Sequence, residues 1–433
     1  MSKSRRRVVI TGMGAITPLG HNVSEFFAGL LAGRSGVGLV SRFDGRSLPT
    51  RIVAEVKDFE LGNFLPEPQQ WRFSGLNTQF TLAAGAQAMA DAGLADTDAG
   101  DRTRMGVYLG SGEGTQDFDN LMPVIAQSSS QDGRQIDTGI FVREAFSRFH
   151  RELEEEQELH TTTAHLARAF DLGGPNLSCL TACAASSQSI GEAVELIRGD
   201  EADVMLAGGA HSMVHPFGMA GFCLLTAMST SNDEPTRASR PFDRDRDGFV
   251  LVEGGCILLL EDLEHARRRG APIYAELTGY GLSADAYRLT DPPPDGRGAV
   301  VSMRMALRDA ELNVDEIGYV NAHGTSTPAG DVAESRAIRT VFGSAADKLS
   351  VSSTKSMTGH LVAAGGVVEL IACIEAIRQG VLPPTINYET PDPDCDLDYV
   401  PNQPRERKIL HALNNNFGFG GQNTTLIVSQ FRA

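Results

Sequence analysis

The sequence is short of several things, and each shortage excludes a class of protein. None of its 433 residues belongs to an apolar run near the roughly 18 needed for a membrane span, so no membrane partner is expected. Basic residues are scarce: 38 Lys and Arg face 55 Asp and Glu, a net charge of −17. A general nucleic-acid binder needs basic surface to displace counterions, so none is expected here. Cysteines number 6, at positions 179, 183, 223, 256, 373 and 395, with no CxxC pair. The Cys179–Cys183 spacing suits neither a zinc knuckle nor a redox motif, and reduced thiols in a cytoplasm are expected. No GxxxxGK[ST] is present, and GMGAIT near the start lacks the third glycine of a dinucleotide fingerprint. No HExxH supports a metal site. There is no short-period repeat and no low-complexity tract. Basic residues before VVITGMGAITPLG mimic a signal peptide, but Gly12 and Gly14 break the apolar run, and Val8–Ile10 reads better as a first strand.

What is present is ordinary globular composition, 41% hydrophobic and 21% charged, with length for two domains. Strand-like and helix-like segments alternate. Val8–Ile10 runs into a glycine-rich turn; Thr78–Gly93 is an alanine-rich amphipathic helix; Met105–Gly110 and Val204–Ala207 are buried-type strands. Residues 126–162 are polar, with an acidic run from Glu152 to Glu158 that reads as a solvated face. Phe249–Glu261 closes a first half, and Leu263–Gly270 is a charged connecting helix. The second half repeats the style. The alternation predicts an α/β architecture, divided into residues 1–270 and 271–433.

The chain is organised around NLSCLTACAASS, Asn176–Ser187. Ile190, Ala193, Val194 and Ile197 form one apolar helical face after it, and Gly199 suits a helix end. Cys183 therefore lies at or near a helix N-terminus, where unpaired N–H groups favour a thiolate. The stretch alone leaves open a small buried cysteine. Three other stretches carry chemistry: YVNAHGTSTPAGD, which ends a strand on His323; SSTKSMTGH before a helix containing Gly365-Gly366; and NNNFGFGGQN, read as a loop. Singly, each has a structural explanation.

Together, TACAAS, NAHGTSTPAGD, KSMTGH, NNFGFGG and VVITGMGAITPLG resemble the β-ketoacyl-[acyl carrier protein] synthases, of the elongating II type. RPFDRDRDGFVLVEGG and LPPTINYETPDPDCDLDYVP add to a resemblance that runs in order over nearly the whole chain. It implies the thiolase fold: two βαβαβαββ halves in five layers, α-β-α-β-α. It implies a decarboxylating condensation of an acyl-enzyme thioester on Cys183 with malonyl-[acyl carrier protein], giving a 3-ketoacyl product and CO2. His323 and His360 complete the implied Cys-His-His set, and Lys355 belongs to the implied active-site network. Phe419 is the implied gating residue and, with Cys183, the implied source of oxyanion-hole N–H groups. Thr325 and Thr327 match positions that contact the pantetheine arm. Glu113 and Phe222 fall at acyl-pocket positions. No cofactor is implied beyond the phosphopantetheine arm of the acyl carrier protein. A structural monovalent cation near Asn321, Glu369 and Asn415 is compatible with the family. A homodimer is the implied assembly.

Three features depart from the resemblance. Glu113 replaces an expected apolar residue, suggesting a shorter, more polar or unsaturated acyl chain, or else a carboxylate turned outward. Asn63–Phe80 holds one basic residue, Arg72, and Thr226 stands where an arginine is expected, so the carrier-docking patch is thinned. The acidic stretch 151–160 is unusually charged. These keep open a ketosynthase of a type II polyketide or polyene pathway, with a dedicated carrier protein or a chain-length-factor-like partner. A catalytically silent subunit is disfavoured by Cys183, and a thiolase by the histidine pair.

Overall fold

The structure, a computed structural model, describes residues 5–95, 101–111 and 116–432. The first half runs β1 (Val8–Ile16), α1 (Leu76–Asp91), β2 (Met105–Ser111), α2 (Leu159–Ala169), β3 (Asn176–Cys179), α3 (Ala185–Arg198), β4 (Val204–His211) and β5 (Gly254–Asp262). The second half runs β6 (Ala275–Ala284), α4 (Arg297–Asp309), β7 (Tyr319–Asn321), α5 (Pro328–Phe342), β8 (Ser350–Ser352), α6 (Gly365–Gln379), β9 (His411–Gly418) and β10 (Gln422–Ser429). These are the two expected βαβαβαββ series.

Strand order is β8-β7-β9-β10-β6-β1-β5-β4-β2-β3. The first half reads β3-β2-β4-β5-β1 and the second β8-β7-β9-β10-β6, the same order position for position. Directions match as well: β2 lies parallel to β3 and β4, as β7 lies parallel to β8 and β9, and the remaining pairs in each half are antiparallel. The halves join where Val9 and Ile10 pair with Glu276 and Ala275. Helices α3 and α6 pack on each other and on strands of both halves, while α1 and α2 cover one outer face and α4 covers the other. Every residue from Gly365 to Ile377 is buried, as a helix apolar all round requires. The result is the five-layered thiolase fold.

Two readings of glycine-rich sequence are corrected. The turn expected after Val8–Ile10 is instead strand through Ile16. Gly12 and Gly14 are there because α1 packs directly on β1. A Cβ on Gly12 would lie 2.1 Å from the Ala88 carbonyl oxygen, and one on Gly14 1.9 Å from that of Ala84. NNNFG is strand rather than loop; only Phe419–Gly421 turns the chain between β9 and β10. The 126–162 region holds parts of four helices, and within it Glu156 is buried and bonded to His165 at 2.6 Å. Among the described residues no helix is long and apolar enough to cross a membrane.

Candidate active site

Cys183 sits in a single 3₁₀ turn, Ala182–Ala184, that leads into α3. Ala182 adopts φ 46°, a left-handed conformation that costs a non-glycine residue about 1 kcal/mol. That bend aims the side chain of Cys183 into a cavity of about 280 Å³. His323 follows the end of β7, where its backbone N–H and that of Gly324 donate to the Glu334 carboxylate at 2.8 and 2.7 Å. His360 is fixed by its N–H to the Val250 carbonyl, 2.8 Å, and stands edge-on to Phe249. The two imidazoles are nearly perpendicular, centroids 5.4 Å apart. Ligand atoms of Cys183, His323 and His360 all lie within 4.8 Å of one another.

Electrostatics acts on Cys183 in two directions. The backbone N–H groups of Cys183 and Phe419 face the thiol, and Lys355 lends positive potential, yet burial dominates and pushes the thiol up to about 11. The N–H groups and Lys355 favour the thiolate, as the helix terminus suggests, while burial works against it. Burial, reinforced by Lys355, holds His323 and His360 well below 6.5, so both rings are neutral. Nδ1 of His323 and both ring nitrogens of His360 lack partners among the described residues. Metal-binding histidines nearly always engage their second nitrogen. The trio therefore fits a substrate oxygen better than a metal.

Lys355 is buried and ion-paired to Glu369, whose other oxygen accepts from Asn416 Nδ2 at 2.7 Å. Asn416 Oδ1 accepts in turn from Ser187 on α3, 2.5 Å. This chain ties the lysine to the nucleophile helix. At the suggested cation site, Asn321 Oδ1 is buried without a partner among the described residues, which leaves one oxygen free for an ion. Asn321 donates to the Glu369 backbone oxygen, Asn415 donates to Glu334, and the Glu369 carboxylate is already occupied. No step is routed through such an ion.

Thr325, Thr327, Phe222 and Phe419 all line the cavity, and the two threonine hydroxyls lie 3.1 Å apart. Thr226 and Leu289 also line it. Glu113 lies outside the described residues. Sequence reasoning missed Glu334, buried and held near 7 by desolvation. Its signal was present: it shares a face with Ala337 and Ile338 of α5, an acidic residue in an apolar stripe. It also missed Asn416 and Ser187.

Fold and site together define a thiolase-fold acyltransferase whose cavity gathers a cysteine and two neutral histidines. Residues 5–266 match the family description "Beta-ketoacyl synthase, N-terminal domain" and residues 274–389 "Beta-ketoacyl synthase, C-terminal domain". The chain is 44% identical over 431 residues to 3-oxoacyl-[acyl-carrier-protein] synthase 2 of Coxiella burnetii, covering 98% of this chain and 99% of that protein. A beta-ketoacyl synthase from Burkholderia phymatum superposes with TM-score 0.87 at 36% identity, covering 99% of this chain and 100% of the other. The AntDE:AntF complex, a type II PKS acyl-carrier protein with its ketosynthase bound to the hexaketide, gives TM-score 0.87, 33% identity and the same coverage. The chain belongs to the β-ketoacyl synthase family.

Proposed function

We propose that this condensing acyltransferase performs chain elongation on carrier-protein thioesters, the reaction for which its 3-oxoacyl synthase relatives are named. The observation that carries the reading is the convergence of Cys183, His323 and His360 within 4.8 Å in one cavity. In the first half-reaction the Cys183 sulfur attacks the acyl carbonyl. The oxyanion forms against the N–H groups of Cys183 and Phe419. The carbon–sulfur bond to the carrier breaks, and the Cys183 proton leaves through a neutral imidazole to the departing carrier thiolate.

A malonyl thioester then enters. It loses CO2, and the electron pair of the broken bond becomes an enolate with charge on the thioester oxygen. Each neutral imidazole offers one N–H, and two N–H donors suit one oxygen. The enolate carbon attacks the acyl-cysteine, forming the new carbon–carbon bond and breaking the carbon–sulfur bond to Cys183, whose thiolate regains a proton from solvent. Lys355 supplies fixed positive potential from its buried pair with Glu369. Thr325 and Thr327 hold the pantetheine arm, Phe419 gates the cavity, and Phe222 borders the acyl chain. The division at residues 270 and 271 separates a half bearing the nucleophile from a half bearing both histidines. An acyl carrier protein is the partner, and a homodimer the assembly.

Likeness to polyketide ketosynthases, one with its acyl-carrier protein and others named with a chain length factor, supports a second reading, elongation on a dedicated carrier with a paired subunit. The test is to incubate the protein with acyl- and malonyl-carrier thioesters and identify the product by mass. A 3-ketoacyl thioester two carbons longer is expected. CO2 release without that product, or no reaction with any carrier, overturns the proposal.

A further inference from the structure

Among the described residues, three histidines carry unpartnered ring nitrogens while buried: His323, His360 and His211. The first two await a substrate oxygen. The mechanism does not use the third. His211 is 2% exposed, and neither of its ring nitrogens has a partner among the described residues. Buried polar groups are normally bonded, and an orphaned pair calls for an explanation.

His211 ends β4, paired across to Gly254, at the carboxyl end of parallel strands where α/β folds build their sites. It is connected to the catalytic pair by an unbroken run of aromatic contacts. Its ring meets Phe222 edge-on, with centroids 6.2 Å apart; Phe222 meets Phe249 at 5.9 Å; Phe249 meets His360 at 5.4 Å. Phe222 lines the cavity that holds Cys183. On its other side, the segment directly after His211, Ser212–Pro216, lines a second cavity with Phe43, Leu76 and Phe118. Between them lies the apolar cluster of Cys183, Met213, Val214, Met219 and Phe249, against which Phe222 packs. An acyl chain leaving Cys183 past Phe222 thus runs through this apolar cluster, with His211 against Phe222, toward the second cavity, where Arg42, Gln116, Ser212 and His215 add polar lining.

We propose that His211 is a specificity-determining residue of the acyl path, which hydrogen-bonds an oxygen on the acyl chain beyond the thioester, so that hydroxy- or oxo-substituted chains are taken in preference to saturated ones. This rests on the acyl-transfer reading given above. Burial keeps the ring neutral, with one donor and one acceptor. It therefore matches a hydroxyl with either nitrogen and a ketone with its N–H. A saturated chain leaves both nitrogens unpaired, and sites built to bond a substrate oxygen reject analogues that lack it.

The test uses pantetheine thioesters of hexanoate, 3-hydroxyhexanoate, 5-hydroxyhexanoate and 5-oxohexanoate, with acylation of Cys183 followed by intact mass. The native protein is expected to acylate with one of the oxygenated chains at least about tenfold faster than with hexanoate. His211→Leu is expected to remove that preference without lowering Tm, because it deletes two unpaired buried atoms. His211→Gln, which keeps a donor and an acceptor, is expected to retain part of it. Equal rates for all four chains in the native protein overturn the proposal, as does a preference that survives in His211→Leu. A sharp fall in Tm for His211→Leu also overturns it, since the ring would then be a bonded core residue. No adduct with any thioester contradicts the acyl-transfer reading itself.

Discussion

The two halves of the molecule repeat one topology, yet only one of them places a cysteine in the central cavity. The turn Ala182–Ala184 before α3 has its counterpart in Val362–Ala364 before α6, and both begin on a left-handed non-glycine residue, Ala182 at 46° and Val362 at 40°. Cys183 falls where the second half has Ala363. His360 falls three residues before Ala363, as Leu180 falls three before Cys183. The duplicated backbone therefore supplies the bend, the helix terminus and the close approach of α3 to α6. The chemistry comes from single side chains that break the symmetry. Neither half is complete alone: the first brings the sulfur, the second both imidazoles and the Phe419 N–H.

The largest test of this asymmetry is Cys183→Ala, expected to lower condensation at least about a thousandfold. Adding Ala363→Cys to that variant is expected to restore nothing, because the counterpart position has no histidine pair arranged around it. Product formation by mass measures both; recovery in the double variant would make the halves interchangeable. Next comes the bridge between the halves. Glu369→Gln leaves Lys355 buried without its counter-charge and is expected to destabilise the protein by about 3–5 kcal/mol, read by denaturant unfolding. A change below about 1 kcal/mol would show that Asn416 and Ser187 hold the network unaided.

Gly366→Ala probes the contact of the two central helices. A Cβ there would lie 2.0 Å from Ser187 Oγ, so a loss of about 1–3 kcal/mol is expected. The response to acid tests the buried histidines of both halves. His211 in the first half, held near 3, and His323 and His360 in the second are all kept neutral by burial. Their folded values lie below the unfolded value of 6.5, so the unfolded chain binds more protons at low pH. The stability they contribute is present above about 6.5 and falls as pH drops below it, by about 1.4 kcal/mol per pH unit for each ring. Thermal unfolding from pH 7.5 to 5 reads this, and replacing His211 alone is expected to remove about a third of the slope.

Much of this was legible in the sequence because the informative residues are local. TACAAS, NAHGTSTP and KSMTGH each place one chemical group at the end of a strand or the start of a helix. The structure brings Cys183, His323 and His360 together as those motifs imply. Less legible were the glycines of β1. Gly12 and Gly14 suggest a turn by composition, but their reason is α1, some 70 residues away. The burial of Cys183 was not legible, because a helix terminus can be seen in sequence while the depth of burial cannot. The pairing of Glu369 with Lys355 was not legible, because the two come from different elements. His211 carried no motif at all; only its burial without partners marks it.

The most direct measurement is intact mass of the native protein and of Cys183→Ala after incubation with acyl thioesters. One acyl group on the native chain, mapped to Cys183 and absent from the variant, is the predicted result. An adduct that persists in Cys183→Ala, or a folded native protein that takes no acyl group from any thioester, would contradict the account.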